Sequence, residues 1–241
     1  MLRVRGLTVA FGSEPILEGI DLDVKAGQFT SLIGPSGSGK TSILRAVTAL
    51  LRPERGTVAL DIPLDDVGFL FQDDALLPWR TVRQNVALGL RIRKVAADIV
   101  REKTERWLAL LGLGGLGDRY PRQLSGGQRK RVAIAQVLVL QPRLLLMDEP
   151  FASLDAIVRM RITEELLSWV EREHLTVLLV THDLHEAISL SDVVYVLSQG
   201  PRATIRARHD VMMARPRSVL ETRSDPQFAP MFQRLWNELS S

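Results

Sequence analysis

The hydrophobic pattern of the chain predicts strands first. Leu2 to Phe11 alternates apolar and polar residues, which predicts an edge strand, and Ile16 to Lys25 predicts a second strand. Short apolar runs bounded by turn residues are typical of strands buried in a parallel sheet. Such runs occur at residues 28–33, 143–147, 175–180 and 193–197, and two further strands are predicted at 57–60 and 67–71.

Between and after these strands, apolar residues recur at helical spacing. It predicts helices at residues 41–51, 82–90, 96–112, 129–140, 156–172 and 184–190. Only helical patterns occur between Thr81 and Leu140, so we expect a helical subdomain inserted into an α/β core. The predicted division is a core of residues 1–72 and 142–208, a helical subdomain of residues 73–141, and a tail of residues 209–241 whose closing apolar residues share one helical face.

One loop between a predicted strand and a predicted helix fits the phosphate-binding pattern G-x-x-x-x-G-K-[ST]. Its glycines keep side chains away, so that successive backbone N–H groups can surround a triphosphate. Lys40 can place its ammonium group on the terminal phosphates, and the Thr41 hydroxyl suits Mg²⁺. The predicted nucleotide-binding residues here are Gly34, Pro35, Ser36, Gly37, Ser38, Gly39, Lys40, Thr41 and Ser42.

Polar side chains follow two other buried strands, and open α/β sheets bind ligands at these carboxyl ends. Asp148 fits a role in holding Mg²⁺, and the neighbouring Glu149 can polarise an attacking water. His182 can contact the terminal phosphate, and Gln72 can sense the metal or the water through its amide. Without the phosphate loop, an Asp-Glu pair would more often cap a turn, and a lone His would more often be structural.

A second glycine-rich segment, Leu124 to Gln128, opens a predicted helix far along the chain from the first loop. A helix that begins with Ser and two Gly can bind an anion at its N-terminus, although such a segment can also be a flexible loop with an N-cap. One solution is that it faces the nucleotide of another subunit across a two-fold axis. The residues concerned are Ser125, Gly126, Gly127 and Gln128.

The composition narrows the possible partners and location of the protein. The formal charge is +3 with 31 basic residues, mostly arginines that are scattered rather than clustered, so we do not expect nucleic acid as a partner. The chain has no Cys, no signal-peptide pattern and no run of about 20 apolar residues that would span a membrane.

Taken together, these motifs resemble those of the nucleotide-binding subunits of ATP-binding cassette (ABC) transporters. Gly34–Thr41 resembles Walker A, Leu144–Glu149 resembles Walker B with its catalytic Glu, and Leu124–Gln128 resembles the family signature. Other matches are Gln72 with the Q-loop, Ser153-Leu154-Asp155 with the D-loop, His182 with the switch His, and Phe11 with the aromatic residue that stacks on adenine.

The resemblance implies a phosphate-loop ATPase fold with a mixed sheet, N-terminal antiparallel strands and the inserted helical subdomain. It implies that two copies sandwich two ATP with Mg²⁺, so that Ser125 to Gln128 and Asp155 contact nucleotide across the dimer. Expected partners are transmembrane permease subunits, docked near Ala75 to Trp79, and indirectly a solute-binding protein. The expected location is the cytoplasmic face of a bacterial inner membrane.

The motifs resemble most the importers of nitrate, sulfonates and taurine, or of thiamine precursors. Phe71-Gln72, Leu77-Pro78-Trp79 and Asp148 to Phe151 carry this resemblance. The alternative is a soluble ABC ATPase that acts on nucleic acid or ribosomes, but the chain has no long coiled-coil pattern and only one cassette. A phosphate-loop kinase or GTPase would leave the signature and His182 without a role.

Overall fold

The computed structural model describes residues 1–12, 14–152 and 154–240. In this part of the chain the strands are β1 (Leu2–Phe11), β2 (Glu14–Val24), β3 (Phe29–Ile33), β4 (Arg55–Leu60), β5 (Val67–Leu70), β6 (Leu144–Asp148), β7 (Thr176–Thr181), β8 (Val193–Leu197) and β9 (Ile205–Asp210). The α-helices are α1 (Lys40–Val47), α2 (Val82–Val86), α3 (Leu88–Ile92), α4 (Ala97–Leu110), α5 (Gly126–Leu138), α6 (Ala156–Arg172), α7 (Leu184–Leu190) and α8 (Phe228–Ser240).

The continuous apolar runs form the centre of a six-stranded sheet with the order β5-β6-β7-β3-β8-β9. The first five strands are parallel, and all residues of β3, β6, β7 and β8 are buried, because helices cover one face while α1 and the small N-terminal sheet cover much of the other. The strand β9 pairs antiparallel with β8, which makes the sheet mixed. The predicted core limit at residue 208 therefore falls inside β9.

The alternating stretches at the start of the chain form a separate antiparallel sheet with the order β2-β1-β4. The prediction that Leu2 to Phe11 is an edge strand is wrong, because β1 pairs on both sides and lies in the middle. The apolar and polar residues of β1 alternate because one face of this sheet is buried and the other is exposed. Leu2, Val4, Leu7 and Val9 are buried in a core shared with Leu32 and Ile43, which fixes this small sheet against the phosphate loop.

Several helix limits differ from those predicted. The helix after the phosphate loop ends at Val47 rather than Leu51, since Ala49 has a φ of +57°, and Leu50 is 65% exposed. Residues 82–90 form two short helices, and the first begins with a capping box in which Thr81 accepts from the Gln84 backbone N–H. The helix α6 has the predicted limits, and so does α7.

The helical subdomain contains helices and no strand within its described residues, as predicted. Its helices α2 to α5 bury one continuous apolar cluster, which also includes Leu166 and Val170 from α6 of the core. Trp107 of α4 meets Trp169 of α6 edge to face with ring centroids 5.3 Å apart. The subdomain is therefore packed directly on the core helix that follows Asp155.

The tail ends in an amphipathic helix that packs on α7. Phe228 and Leu235 of α8 are buried, whereas Trp236, predicted on the same apolar face, is 54% exposed. The ring of His185, at the start of α7, stacks on Phe228 and lies against Phe232. Among the described residues, no helix has the length and apolar content needed to cross a bilayer.

Candidate active site

The phosphate loop lies between β3, at the centre of the large sheet, and α1. Gly39 has a φ of +87°, and a Cβ added there would lie 2.8 Å from Leu17 of the small sheet, so a larger residue is excluded by both conformation and space. A Cβ at Gly34 would lie 2.9 Å from Leu197 of β8. The two sheets thus hold the loop closely at these two glycines, while the space beside Gly37 is open.

The charged end of Lys40 lies inside the curve of this loop. Its Nζ donates to the carbonyl oxygens of Gly34 and Pro35, both at 2.8 Å. Burial lowers the pKa of Lys40, and the nearby charges of Glu149 and Asp148 oppose that effect. The loop therefore holds a buried cation whose hydrogen-bond partners are neutral carbonyls. Because no carboxylate among the described residues contacts the Lys40 ammonium group directly, its positive charge is available to an incoming anion.

The first of the predicted carboxylates lies beside the loop. Thr41 Oγ1 donates to Asp148 Oδ1 at 3.0 Å, which brings together two of the three residues predicted to contact Mg²⁺, Gln72 being the third. Burial raises the pKa of Asp148, and the hydrogen bond from Thr41 works in the opposite direction. Two adjacent protein oxygens suit Mg²⁺, which keeps several waters and takes further oxygens from phosphates.

Glu149 and His182 also meet, at the ends of neighbouring strands. Glu149 Oε2 lies 3.1 Å from His182 Nδ1, while the imidazole ring stays largely exposed. The backbone of Glu149 has a φ of +42°, an unfavourable conformation for a residue with a Cβ, and its N–H donates to the Val180 carbonyl at 2.8 Å. Such a strained backbone is found preferentially at functional sites.

The order of the strands explains how these groups come together. The acids follow β6, His182 follows β7 and the phosphate loop follows β3, and these are three consecutive neighbours in the sheet. Gln72 follows β5, one strand further out, and its backbone carbonyl accepts from Lys130 Nζ at 3.1 Å. Contact of the Gln72 amide with a metal or a water remains a prediction.

The second glycine-rich segment begins α5, as its composition predicts. Ser125 is the N-cap of this helix: its hydroxyl accepts from the Gln128 backbone N–H, and the Gln128 side chain accepts from the Ser125 N–H. The prediction placed the helix start at Arg129, but the helix already begins at Gly126. The backbone N–H groups of the first turn therefore point out of a helix of 13 residues.

Gly127 joins this segment to the next predicted motif. A Cβ added to Gly127 would lie 2.7 Å from Val158 of α6, so the two helices approach as closely as glycine allows. Asp155 caps α6 by accepting from the Val158 backbone N–H at 3.0 Å. The side chain of Phe11 and the whole of Ser153 lie outside the described residues, so their predicted roles stay predictions.

Sequence reasoning missed three charged residues that shape the site. Lys130 is fully buried, donates to the Gln72 carbonyl and pairs with Asp74 at 3.0 Å. The sequence did contain a signal that Lys130 is buried: it lies four residues before Ile134 and eight before Leu138, both buried on α5, and so shares their helix face. Arg159 and Glu186 also have buried apolar residues at helical spacing, Ile162 and Leu166 after Arg159 and Leu190 after Glu186, but each resembles an ordinary polar residue of an exposed helix face.

Known proteins resemble this chain in sequence and in fold. The sequence profile described as ABC transporter matches residues 17–152. The chain belongs to the ABC transporter family. An ABC relative, the aliphatic sulfonates import ATP-binding protein SsuB 2 of Rhizobium johnstonii, is 42% identical over 99% of this chain and 90% of its own. The sulfate/thiosulfate import ATP-binding protein CysA of Synechocystis is 43% identical over 82% of this chain, which spans only 58% of that relative's length.

Solved ABC cassettes share the fold. The dimeric structure of a bacterial ABC transporter cassette has a TM-score of 0.78 and 29% identity, and the match covers 89% of this chain and all of the other. A dimeric post-hydrolysis state of an ATP-binding cassette, bound to ADP and Pi, has a TM-score of 0.77 at the same identity. The predicted α/β fold with a mixed sheet and helical subdomain is thus confirmed as that of an ABC cassette.

Proposed function

We propose that this chain is the ATP-hydrolysing subunit of an importer for small oxyanionic solutes. The observation that carries the proposal is the contact of Glu149 with His182 beside a phosphate loop whose lysine is buried. The sulfonate import relative, which matches almost the whole chain, supports the solute class. Thiamine precursors are the alternative solute from the sequence motifs.

The residues of the loop fit a triphosphate. Ser38 Oγ is fully buried and makes no hydrogen bond within the described chain, and Lys40 donates only to backbone carbonyls. Phosphate oxygens would satisfy both donors. Thr41 and Asp148 would hold Mg²⁺, which on binding neutralises developing phosphate charge.

The acid and the histidine divide the remaining chemistry. Glu149 accepts the proton of the attacking water, because its carboxylate is not the one that faces Thr41. His182 holds this carboxylate through Nδ1, and its exposed edge is free to meet the terminal phosphate. The strained Glu149 backbone fixes the direction in which the carboxylate points.

The second half of the site comes from a second copy. Ser125 and the N–H groups that follow it form an anion site on the helical subdomain, and Gly127 sets that site against α6 and Asp155. The dimeric cassettes that share this fold support a two-fold pair. ATP bound between two copies would therefore link hydrolysis to the opening and closing of the pair.

A permease would bind at the loop from Ala75 to Trp79. Trp79 is 70% exposed, while Leu76 packs partly against the core of the subdomain. Buried Asn85 holds the loop by donating to the Leu77 carbonyl and accepting from the Leu77 N–H. A preformed apolar loop suits a helix of a membrane subunit, which would keep this chain at the cytoplasmic face of the bacterial inner membrane.

The alternative of a nucleic-acid-bound ATPase gains no support from the surface. Many exposed arginines already pair with neighbouring acids, as Arg3 does with Asp61 and Arg208 with Asp210. In such pairs the positive charge is already neutralised by a carboxylate, which reduces its attraction for a phosphate backbone.

Substitution of Glu149 by Gln tests the proposed hydrolysis. We expect Mg-ATP binding to remain and turnover to fall by about a hundredfold or more, since the amide cannot accept the proton. Phosphate release and binding of a fluorescent ATP analogue are measured in parallel, with the exposed Glu173→Gln as control. Turnover at the parental rate in Glu149→Gln would remove Glu149 from its proposed role.

Substitution of Ser125 by Arg tests the second half-site. The bulky cation should block closure of the pair and abolish turnover, while the monomer still binds ATP with parental affinity. Gel filtration with ATP in the Glu149→Gln background reports the pair, which should form with Ser125 and fail with Arg. Loss of ATP binding by the isolated monomer would instead place Ser125 outside a cross-subunit site.

A further inference from the structure

A buried acid lies behind the switch histidine and is not used by the chemistry above. Glu186, in the first turn of α7, is only 9% exposed. It lines a cavity of about 40 Å³ together with Glu149, His182 and Arg159. A carboxyl group this deeply buried is costly unless its contacts repay the desolvation.

Its main contact is with the residue before the histidine. Thr181 Oγ1 donates to Glu186 Oε2 at 2.8 Å, and the same Oγ1 accepts from the backbone N–H of Asp183 at 3.0 Å. With Glu186 as the acceptor, the hydroxyl proton points to Glu186 and a lone pair of the same oxygen accepts from Asp183. A hydrogen bond thus joins Thr181 and Asp183, the residues on either side of His182. The imidazole lies at the tip of the turn that this bond closes.

The next residues extend this network to a second motif. Asp183 caps α7 by accepting from the His185 and Glu186 N–H groups, and its other oxygen lies 3.6 Å from Arg159 Nη1. Arg159 also donates to the Leu154 carbonyl at 3.0 Å, in the segment that precedes α6. The turn that carries His182 is therefore fixed to the segment just before the Asp155 cap.

We propose that Glu186 is a positioning residue for hydrolysis, which acts through Thr181 to hold His182 within reach of Glu149. The proposal rests on the proposed ATPase function. Glu186 contributes a hydrogen-bond acceptor rather than a negative charge, because its acceptor oxygen orients the Thr181 hydroxyl. Binding of ATP is left to the phosphate loop, which Glu186 does not touch in any described contact.

The test compares Glu186→Ala, Glu186→Gln and Thr181→Val by steady-state hydrolysis of Mg-ATP. Glu186→Ala and Thr181→Val should lower kcat by about tenfold to a hundredfold and leave KM within about twofold, as a misplaced catalytic group does. Glu186→Gln keeps an acceptor oxygen for Thr181 and should restore most of kcat. The exposed Glu173→Ala is the matched control, and thermal melting shows that each variant is folded.

A double-mutant cycle with His182→Ala separates positioning from a general loss of structure. If Glu186 acts through His182, Glu186→Ala should cost little further activity once His182 is gone. Equal losses in both backgrounds, or an inactive Glu186→Gln that melts like the parent, would overturn the proposal. A parent protein without ATPase activity would instead overturn the proposed function, and with it the positioning role of Glu186.

Discussion

Burial changes the charge behaviour of three side chains around the site, and each change has a local cause. Burial lowers the pKa of Lys40, opposed by the charges of Glu149 and Asp148, and raises the pKa of Asp148, opposed first by the hydrogen bond from Thr41. Burial also raises the pKa of Glu186 to about 7 from its ordinary value of 4.5. Asp183 adds to this rise, whereas Thr181, Arg159 and His182 oppose it.

The Glu186 carboxyl makes stability depend on pH in a defined direction. Below about pH 4.5 it is protonated in both the folded and the unfolded chain and contributes no difference. Between pH 4.5 and 7 the unfolded chain releases this proton while the folded chain keeps it, so stability falls as pH rises. The rise in pKa from 4.5 to about 7 corresponds to a loss of about 3 kcal/mol at most, complete above pH 7.

Glu186→Gln removes this dependence, because the amide does not ionise. We expect the variant to exceed the parent in free energy of unfolding by up to about 3 kcal/mol above pH 7, with the difference shrinking toward zero near pH 4.5. Urea unfolding at several pH values between 5 and 8 measures it. A difference that stays constant over this range would mean that Glu186 does not titrate there.

Helices α5 and α6 approach each other at a single glycine, and that contact decides what the signature segment tolerates. Gly127 leaves no room for a Cβ beside Val158, whereas a Cβ at Gly126 would meet only the end of the Arg129 side chain, at 3.8 Å. Two adjacent positions of one helix thus require glycine for different structural reasons. Gly126 leaves space at the helix N-terminus, and Gly127 serves the packing of the two helices.

Gly127→Ala should therefore destabilise the fold by about 1–3 kcal/mol through overpacking, and Gly126→Ala should not. Adding Val158→Ala to Gly127→Ala should recover much of the loss, because it removes the methyl group that the new Cβ meets. Chemical denaturation of the three variants measures this. Equal destabilisation by Gly126→Ala and Gly127→Ala would show that helix-end effects, not the Val158 contact, are responsible.

The sequence predicted these elements unevenly, and the reasons are physical. Residues buried on both faces, as in β6 and β7, leave continuous apolar runs, and a phosphate loop has a nearly unique pattern. The strand β9 was missed because its residues alternate with charged ones on a half-exposed edge, where only pairing with β8 defines it. Glu186 was missed because a helical glutamate reads as solvent-facing until the tertiary fold buries it.

Lys130 connects the two parts of the molecule. It lies on α5 of the helical subdomain, yet it pairs with Asp74 and donates to the carbonyl of Gln72, where the chain leaves the core sheet. Asp74 also lies 3.5 Å from Arg129. The start of the subdomain and its signature helix are therefore held together by buried charge as well as by apolar packing.

Lys130→Met should lower the free energy of unfolding by about 3 kcal/mol, because it leaves Asp74 and the part-buried carbonyl of Gln72 without the ammonium group that both contact. Lys103→Met is the matched control, since Lys103 donates to Gln141 at the surface and should cost less than about 1 kcal/mol. Guanidinium unfolding compares the two. A similar loss in both variants would mean that the buried pair does not join the parts more strongly than a surface contact.

The strand that carries His182 lies between the strand of the acids and the strand of the phosphate loop. Its residues touch no nucleotide in the proposed site, but every displacement of β7 moves the chemistry on both sides of it. In a genetic screen, temperature-sensitive alleles that thin the packing of Val177 or Leu179 would therefore resemble active-site alleles, although the altered side chains lie in the core.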